Sequence, residues 1–160
     1  MIIYCDGSAY PNPGPGGFGV IVLDKSKKLV YHIHRESSEN TTNNREELKA
    51  ILYCLKKFGG NVSSDHNDDF LVNIPIVYSD SAYAINTYTN WMFSWAENDW
   101  NKSDNQKPEN LDIIQEYYKL FLEGYRIDLQ KIKGHSGDFW HDFADNLAAN
   151  RLPLWRLKNE

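Results

Sequence analysis

Three short apolar runs at the start of the chain predict β-strands. They cover residues 1–6, Phe18–Leu23 and Leu29–Arg35, and side chains in the third run alternate along the strand. The first intervening segment, Gly7–Gly17, is dense in glycine and proline, which is typical of a tight turn. Strands joined by such short connections favour an antiparallel meander.

A helix is predicted next. Apolar residues recur at the 3.6-residue period up to about Phe58, and the TTNN segment at residues 41–44 offers N-cap side chains. Asn43 and Glu46 resemble a capping pair. Glu47 falls on the apolar stripe of this helix, whereas Glu46 falls on its flank. Helical geometry therefore selects Glu47 as the acid that points along the buried face.

The second half of the chain alternates strand and helix patterns. The predicted elements are a strand at Ile74–Tyr78, a helix from Ser81 to about Asn90, a helix over Leu111–Leu122, a strand at Tyr125–Lys133 and a helix from Phe139 to about Asn150. The polar connection Gly59–Asp69 has no predicted element. The tryptophan-rich stretch Trp91–Pro108 is predicted to be irregular or short-helical.

This order of elements predicts a mixed α/β fold. A five-stranded mixed sheet, with three antiparallel strands and two parallel ones, would be flanked by helices. A right-handed crossover lays the fourth strand parallel to the first. A chain of 160 residues without a repeat or linker fits one domain, which we assign to residues 1–152, followed by a short tail at residues 153–160.

Acidic residues occupy positions where a charge is costly. Asp6 and Asp80 end apolar strand runs, Glu47 lies on an apolar helix stripe, and Asp145 lies in the last helix. The predicted crossover brings Asp6 and Asp80 onto neighbouring strands, with Glu47 and Asp145 approaching from helices. Burying several carboxylates together is unfavourable unless a cation gathers them, and a divalent metal is the simplest candidate.

Charge and composition restrict the possible partners. The net charge of −5 is unusual for a nucleic-acid binder, so any such partner would need bound metal and locally placed donors, with strong salt dependence. No apolar run approaches the roughly 18 residues that span a bilayer, and no membrane partner is expected. Cys5 and Cys54 form no ligand pattern, which favours core thiols in a reducing, intracellular setting.

A set of motifs in one order carries a family resemblance. They are DGSAYPNPGPGG, TTNNREEL, YSDSAY, a tryptophan-rich segment, KGHSG and ADNLA, and they extend over nearly the whole chain. Together they resemble type 1 ribonuclease H. The resemblance implies a ribonuclease H-like fold and a metal-dependent endonuclease. It implies hydrolysis of the RNA strand of an RNA–DNA hybrid, leaving 3′-hydroxyl and 5′-phosphate ends, by a cytoplasmic monomer.

The resemblance also implies a metal site. By similarity, two Mg²⁺ ions, with Mn²⁺ as an alternative, are held with substrate by Asp6, Glu47, Asp80 and Asp145. Two cations about 3.5–4 Å apart can activate water and stabilise the leaving oxygen. Without metal, repulsion among the carboxylates is expected to weaken the fold. No cysteine–histidine cluster offers a zinc alternative.

Histidines receive different interpretations. His135, in KGHSG, is implied by the resemblance to take part in proton transfer or product release, and the alternative is an exposed loop histidine. The other histidines are interpreted as structural or solvated: His32, His34, His66 and His141.

Polar residues near the first two motifs match substrate-contacting positions of the family. Asn12, Thr42, Asn43 and Asn44 are implied to contact the minor groove and backbone near the cut. Neutral donors and acceptors of this kind can recognise the 2′-hydroxyl that distinguishes RNA from DNA. The alternative is that Thr42 and Asn43 only cap the helix, and one residue can do both.

Aromatic residues beyond Asp80 resemble the family's channel for the DNA strand. Tyr83 and Trp91 are candidates for packing on sugars or bases, and the alternative is that they belong to the core. Two departures put affinity in doubt. The segment Trp95–Trp100 is acidic where bacterial members often carry a basic protrusion, and position 82 is alanine where some relatives have a polar residue.

Other function classes stay open at this point. A catalytically silent binding domain or partner subunit would be signalled by a missing carboxylate, and none of the set is missing. Another metal nuclease, such as an exonuclease or resolvase, agrees less well with Asn43, Asn44 and the KGHSG loop. A reverse-transcriptase fragment is the fourth possibility, and the start at Met1 favours a free protein instead.

Overall fold

The computed structural model describes residues 1–62 and 74–151 as a layered α/β structure. The strands are β1 (Ile2–Ala9), β2 (Gly14–Leu23), β3 (Val30–Thr41), β4 (Gly60–Asn61), β5 (Ile76–Ser79), β6 (Tyr125–Arg126) and β7 (Asp128–Lys131). The helices are α1 (Asn43–Phe58), α2 (Ala82–Asn86), α3 (Met92–Glu97), α4 (Leu111–Leu122) and α5 (Phe139–Ala148), and a π-helical turn at Thr87–Trp91 joins α2 to α3.

The main sheet has the strand order β3-β2-β1-β5-β7. β1, β2 and β3 are antiparallel neighbours, while β5 is parallel to both β1 and β7. This arrangement confirms the predicted five-stranded mixed sheet. The parallel pairing of β1 with β5 ends at Tyr4 and Tyr78. Asp6 and Asp80, two residues beyond that pair, therefore emerge at the same edge.

Helices cover both faces of the sheet, because successive strand residues point to opposite sides. Ile3 and Cys5 of β1 pack in the core that contains α1 and α4, while Tyr4 packs with Ala144 of α5 in a second core. Asp6 has the same parity as Tyr4, so its side chain lies on the α5 side. Strand alternation therefore decides the face of the sheet on which the Asp6 carboxylate lies.

The start of α1 differs from the predicted capping pair. Thr42 is the N-cap, and its hydroxyl accepts from the backbone N–H of Arg45 at 3.1 Å. Asn43 instead accepts from the Ala9 backbone N–H at 2.6 Å, which ties α1 to β1. The prediction that Asn43 and Glu46 form the cap was wrong, because Asn43 accepts from Ala9 and Glu46 accepts from Thr41 instead.

The helical segment after β5 is longer than predicted. The sequence placed its end near Asn90, but helical structure continues without a break from Ala82 to Glu97. Ser81 caps it, as predicted, by accepting from the Ala84 backbone N–H. The π-turn adds a residue to the helical repeat, so the 3.6-residue pattern is interrupted although Met92 beyond it is fully buried.

Further boundaries differ from the prediction. β1 continues beyond residue 6 to Ala9 and β2 begins at Gly14 instead of Phe18, so the predicted turn Gly7–Gly17 is largely strand. The predicted strand Tyr125–Lys133 is divided, because β6 pairs with β4 in a separate two-stranded sheet before β7 joins the main one. β3 continues to Thr41, beyond the predicted end at Arg35. Most of the Gly59–Asp69 connection and the tail at 153–160 lie outside the described residues, so the domain boundary at residue 152 stays a prediction. Within residues 1–62 and 74–151, no helix has the length and hydrophobicity of a membrane span.

Candidate active site

The site is built on two neighbouring parallel strands, just beyond the point where their pairing ends. Asp6 lies in β1 and is 4% exposed, and its Oδ1 accepts from the Gly7 backbone N–H at 3.0 Å. Asp80 follows β5 directly and is half-buried. A carboxylate oxygen of Asp6 lies within 4.8 Å of one of Asp80. The sheet alone therefore places two acids together.

Glu47 reaches this pair from α1, on the other layer of the fold. Its approach depends on Gly7, since a Cβ at that position would overlap the backbone of Glu46 and Glu47. With glycine there, α1 lies directly on β1 and the Glu47 side chain interacts with Asp6. Glu47 is 8% exposed, and its Oε2 is buried without a hydrogen-bond partner among the described residues.

Glu46, the neighbouring acid, is buried in a different environment. It is fully buried rather than on an open flank, so the sequence interpretation of its position was incomplete. Its Oε2 accepts from the Thr41 hydroxyl at 2.8 Å and pairs with the Lys49 ammonium at 3.2 Å. These contacts hold Glu46 at the junction of β3 and α1. Glu47 is therefore the acid that reaches Asp6, as helical geometry predicted.

Asp145 completes the group from α5. Its carboxyl group is close enough to Asp6 to contribute to the raised pKa of that acid. Arg151 donates to Asp145 Oδ2 at 3.1 Å, although the arginine side chain is more than half exposed. The structure therefore brings all four sequence-selected acids together around Asp6, and an arginine is the cation that already touches one of them.

Electrostatics of the group are uneven. Burial raises the pKa of Asp6 to about 7, and the nearby charges of Asp80 and Asp145 add to that shift, while a hydrogen bond with Glu47 opposes it. Burial, followed by repulsion from Asp6, raises the pKa of Glu47 well above its usual range. The pKa of Asp80 is lowered, chiefly by a hydrogen bond from His141. The two most buried acids, Asp6 and Glu47, therefore both favour the protonated form more than an exposed acid does.

His141 is the site residue that sequence reasoning missed. Its side chain is 2% exposed, and Nε2 lies 3.1 Å from Asp80 Oδ2. The hydrogen bond with Asp80 raises the pKa of His141, while burial opposes this shift. One signal was available in the sequence, because His141 lies four residues before Asp145 and so occupies the same face of the last helix.

The residues present fit a divalent cation. One ligand atom from each of Asp6, Asp80 and His141 lies within 4.8 Å of the other two. The unpartnered, buried Oε2 of Glu47 is an acceptor that a cation would satisfy. Carboxylate oxygens suit Mg²⁺ and Mn²⁺. Glu47 and Asp145 flank the three-residue cluster through their contacts with Asp6.

His135 lies at the rim, in the turn between β7 and α5. It is exposed and adopts a positive φ of 56°. Its charge contributes to lowering the pKa of Asp80, so the imidazole lies within electrostatic range of the carboxylates. The same turn holds Gly134, where a Cβ would come within 2.8 Å of Asp80 Oδ2. The turn therefore packs closely against the site and leaves its histidine open.

Two of the predicted substrate residues of the first two motifs, Asn12 and Asn43, are joined by a hydrogen bond. The Oδ1 of Asn12 accepts from the Asn43 backbone N–H at 3.1 Å, and the Oδ1 of Asn43 accepts from Ala9. Asn12, Asn43 and Asn44 are exposed, while Thr42 is half-buried as the cap of α1. The two amide oxygens are thus used within the protein, which orients the amide NH₂ groups.

The aromatic candidates differ from each other. Tyr83 is half-buried, packs against the core, and its hydroxyl accepts from Asn110 at 3.2 Å. Trp91 is 38% exposed, and its ring lies 6.1 Å from that of Tyr83 and 5.8 Å from that of Trp95. Tyr83 thus has the core role that was left open as an alternative, whereas Trp91 presents part of its ring at the surface.

Comparisons with known proteins agree with this geometry. The sequence matches the RNase H family over residues 1–152. It is 37% identical to ribonuclease H of Caldicellulosiruptor saccharolyticus, with 98% of each chain covered, and 36% identical to ribonuclease H of Syntrophomonas wolfei, with 95% of each covered.

A solved structure shares the fold. The crystal structure of LC11-RNase H1 in complex with RNA/DNA hybrid superposes with a TM-score of 0.64 at 23% identity, covering 98% of each chain. The predicted α/β class and the suspected family are both confirmed. With its mixed sheet, its gathered carboxylates and these relatives, the chain belongs to the ribonuclease H family, a family of endoribonucleases.

Proposed function

We propose that this protein hydrolyses the RNA strand of RNA–DNA hybrids with divalent metal ions, preferably two Mg²⁺, leaving 3′-hydroxyl and 5′-phosphate ends. The convergence of Asp6, Glu47, Asp80 and Asp145 is the observation that carries the proposal. Two relatives named ribonuclease H, aligned over nearly the whole chain, support it. A related structure has been solved with an RNA/DNA hybrid bound.

The four carboxylates are the proposed metal ligands. Paired divalent ions, when bound, supply an activated water and stabilise the oxygen that leaves phosphorus. Asp6 is at the centre of the group and is the best placed to be shared, because it contacts each of the other three. Burial of Asp6 and Glu47 makes their ionisation unfavourable without a cation, so occupancy of the site and the charge on these acids are linked.

His135 is the proposed proton-transfer and product-release residue. It is exposed beside the carboxylates and lies in a turn with glycine on either side of the His135–Ser136 pair. An imidazole can act as general acid or general base. Cleavage of the P–O3′ bond requires a proton on the leaving 3′-oxygen, and attack by water releases one.

The exposed asparagines Asn12, Asn43 and Asn44 are proposed to recognise the RNA strand. Asn12 and Asn43 use their amide oxygens within the protein, so the NH₂ groups remain as donors for a 2′-hydroxyl or a minor-groove acceptor. Asn44 is exposed beside them. Thr42 accepts from the helix backbone, and its own hydroxyl hydrogen is still able to donate. Capping and substrate contact are therefore compatible in one side chain.

The DNA strand is proposed to pass the aromatic residues Tyr83 and Trp91. Trp91 offers a partly exposed ring for packing on a sugar or base, and Tyr83 supports it from the core side. The neighbouring Glu97 and Asp99 are exposed and acidic. Hybrid affinity is therefore expected to be modest and to depend strongly on salt.

A monomer in the cytoplasm is the proposed context. Cys5 and Cys54 are buried free thiols, and a hydrogen bond between them raises the pKa of Cys5 well above its usual range. Two thiols in contact that remain reduced are favoured by a reducing compartment. Hybrid nucleic acid is the proposed partner.

Cleavage of a labelled hybrid tests the proposal. Two hybrids are prepared, one with a 5′ label on the RNA strand and one with a 5′ label on the DNA strand. With Mg²⁺, the RNA strand is expected to be cut internally, and the labelled RNA fragments should end in a 3′-hydroxyl. The DNA strand, an RNA–RNA duplex and single-stranded RNA are expected to survive. Omission of the metal and the Asp6→Asn variant should each remove the activity.

The contrary outcome is equally defined. Hybrid binding without any cleavage of the RNA strand would indicate a silent binding domain. Preferred cleavage of DNA duplex would indicate another metal nuclease on this fold.

A further inference from the structure

His141 lies at the first turn of α5, on the face that also carries Asp145. The N-cap Asp138 accepts from the backbone N–H groups of Trp140 and His141 at 3.0 and 3.1 Å, which holds the start of the helix in place. Residues four apart share a helix face, so the imidazole and the Asp145 carboxylate both point toward the sheet edge. The backbone position of His141 is therefore held by Asp138, independently of the contact that its side chain makes.

The imidazole makes a single hydrogen bond among the described residues. Nε2 lies 3.1 Å from Asp80 Oδ2, while Nδ1 is buried without a hydrogen-bond partner. A carboxylate oxygen accepts, so Nε2 carries the hydrogen. An N–H at Nδ1 would be a buried, unsatisfied donor, which is more costly than an unpaired lone pair. Of the two neutral tautomers, the one with hydrogen on Nε2 is the form that this environment favours.

Asp80 is held on two sides by these neighbours. His141 donates to Oδ2 from one side, and Gly134 approaches so closely that a Cβ there would lie 2.8 Å from the same oxygen. With Oδ2 engaged by His141, Oδ1 is the oxygen left to face a cation. Asp6 is held differently, since its Oδ1 accepts from the backbone N–H of the adjacent Gly7.

Direct metal ligation by His141 is the competing interpretation. Its nitrogen lies within 4.8 Å of ligand atoms on Asp6 and Asp80. A metal-bound histidine, however, almost always donates its other ring N–H to a carboxylate, carbonyl or water, and Nδ1 has no partner in the described part of the chain. Mg²⁺ also prefers oxygen ligands. The contacts therefore favour an orienting role over a ligating one.

Resting on the hybrid-cleaving function proposed above, we propose that His141 is a positioning residue that donates from Nε2 to Asp80 Oδ2 and thereby orients Asp80 toward the metal. It acts through Asp80 and does not touch the substrate. The role separates the two histidines of this region, since exposed His135 handles protons and buried His141 sets carboxylate geometry.

Three substitutions separate the donor from the bulk of the ring. His141→Gln places an amide NH₂ near the position of Nε2, whereas the amide of His141→Asn is too short to reach Asp80. His141→Met fills the space without a donor. The experiment uses the full chain without nucleic acid and follows the loss of the free Mn²⁺ electron paramagnetic resonance signal, with Mg²⁺ as competitor.

Metal affinity is expected to fall about 10- to 100-fold in His141→Met and His141→Asn, as for other partners of metal ligands, and to recover in His141→Gln. With hybrid, kcat at limiting Mg²⁺ should fall in the same order and recover at high Mg²⁺, while KM for hybrid stays near its wild-type value. Thermal melts monitor folding. If His141→Met does not fold, the Gln and Asn variants carry the comparison.

Two results would overturn the role. Equal metal affinity in all four proteins would show that the hydrogen bond does not orient Asp80. A directly coordinated ¹⁴N signal on Mn²⁺ in the wild-type protein, lost in His141→Gln, would make His141 a ligand. Weaker metal binding in the variants of a protein that never cuts hybrid would count against the proposed function alone.

Discussion

Glu46 and Glu47 are consecutive residues of α1, yet their carboxylates contact different parts of the sheet, Glu46 at the end of β3 and Glu47 at β1. Glu46 is satisfied by Thr41 and Lys49 on the β3 side. Glu47 crosses to Asp6 and leaves Oε2 buried without a hydrogen-bond partner in the described structure. Both are buried, so exposure alone does not separate the structural acid from the functional one.

Neutralising each glutamate should therefore have a different effect. Glu47→Gln removes a proposed metal ligand, and kcat should fall by more than about 100-fold, since even partners of metal ligands contribute up to that much. Glu46→Gln weakens the contacts with Thr41 and Lys49, and the free energy of unfolding should fall by about 1–3 kcal/mol with kcat retained. Hybrid cleavage and urea unfolding of both variants measure the two effects. Loss of activity in Glu46→Gln without loss of stability would reverse the assignment.

Stability of the metal-free protein should depend on pH through Asp6. Its folded-state pKa of about 7 is above the ordinary value of 3.8, so the folded state binds the proton more tightly than the unfolded chain. The contribution of Asp6 is therefore most favourable below pH 4 and is lost as pH rises toward 7, at up to about 1.4 kcal/mol per pH unit.

The Asp6→Asn variant isolates this contribution. In chelator, the stability difference between wild type and Asp6→Asn should shift in favour of the variant as pH rises from 4 to 7, because asparagine carries no charge to bury. Saturating Mg²⁺ should stabilise the wild type more than the variant. A difference in unfolding free energy that does not vary with pH would show that Asp6 is not the buried, proton-binding group.

The close approach of Gly134 to Asp80 should be sensitive to a single methyl group. In Gly134→Ala, the added Cβ would lie 2.8 Å from Asp80 Oδ2 and push the carboxylate away from its hydrogen bond. Activity should fall about 10- to 100-fold, as for other changes around a metal ligand. Gly137→Ala is the control in the same turn, where a Cβ meets nothing within 4 Å and the φ of 87° is strained. The control should lose stability with a smaller loss of kcat.

Charge near the aromatic residues should control hybrid affinity. Glu97 is exposed at the end of α3, and Glu97→Lys should tighten hybrid binding and steepen the dependence of log K on log salt by up to about 0.9 for one new phosphate contact. Asp128→Lys makes the same charge change at the amino end of β7, opposite the site, and should have little effect. Binding isotherms at several salt concentrations, with metal replaced by Ca²⁺, measure both. Equal effects would show that only net charge matters.

The sequence by itself was sufficient for the class of fold and for the four carboxylates. Strand alternation and helical periodicity are local properties, so the positions of Asp80 at the end of β5 and of Glu47 on a helix stripe could be predicted directly, whereas Asp6 lies inside β1 and not at its predicted end. The right-handed crossover rule then placed the two parallel strands side by side.

Only the tertiary structure decided the contacts that surround those acids. The pairing of His141 with Asp80 and the approach of Gly134 to Asp80 join residues far apart in sequence, and no local pattern encodes them. The burial of Glu46 depends on the packing of α1 against the sheet. The π-turn at Thr87–Trp91 shifted the helical repeat and so concealed the continuation to Glu97. Burial of a polar group depends on what packs over it, and that is settled only when the layers of the fold come together.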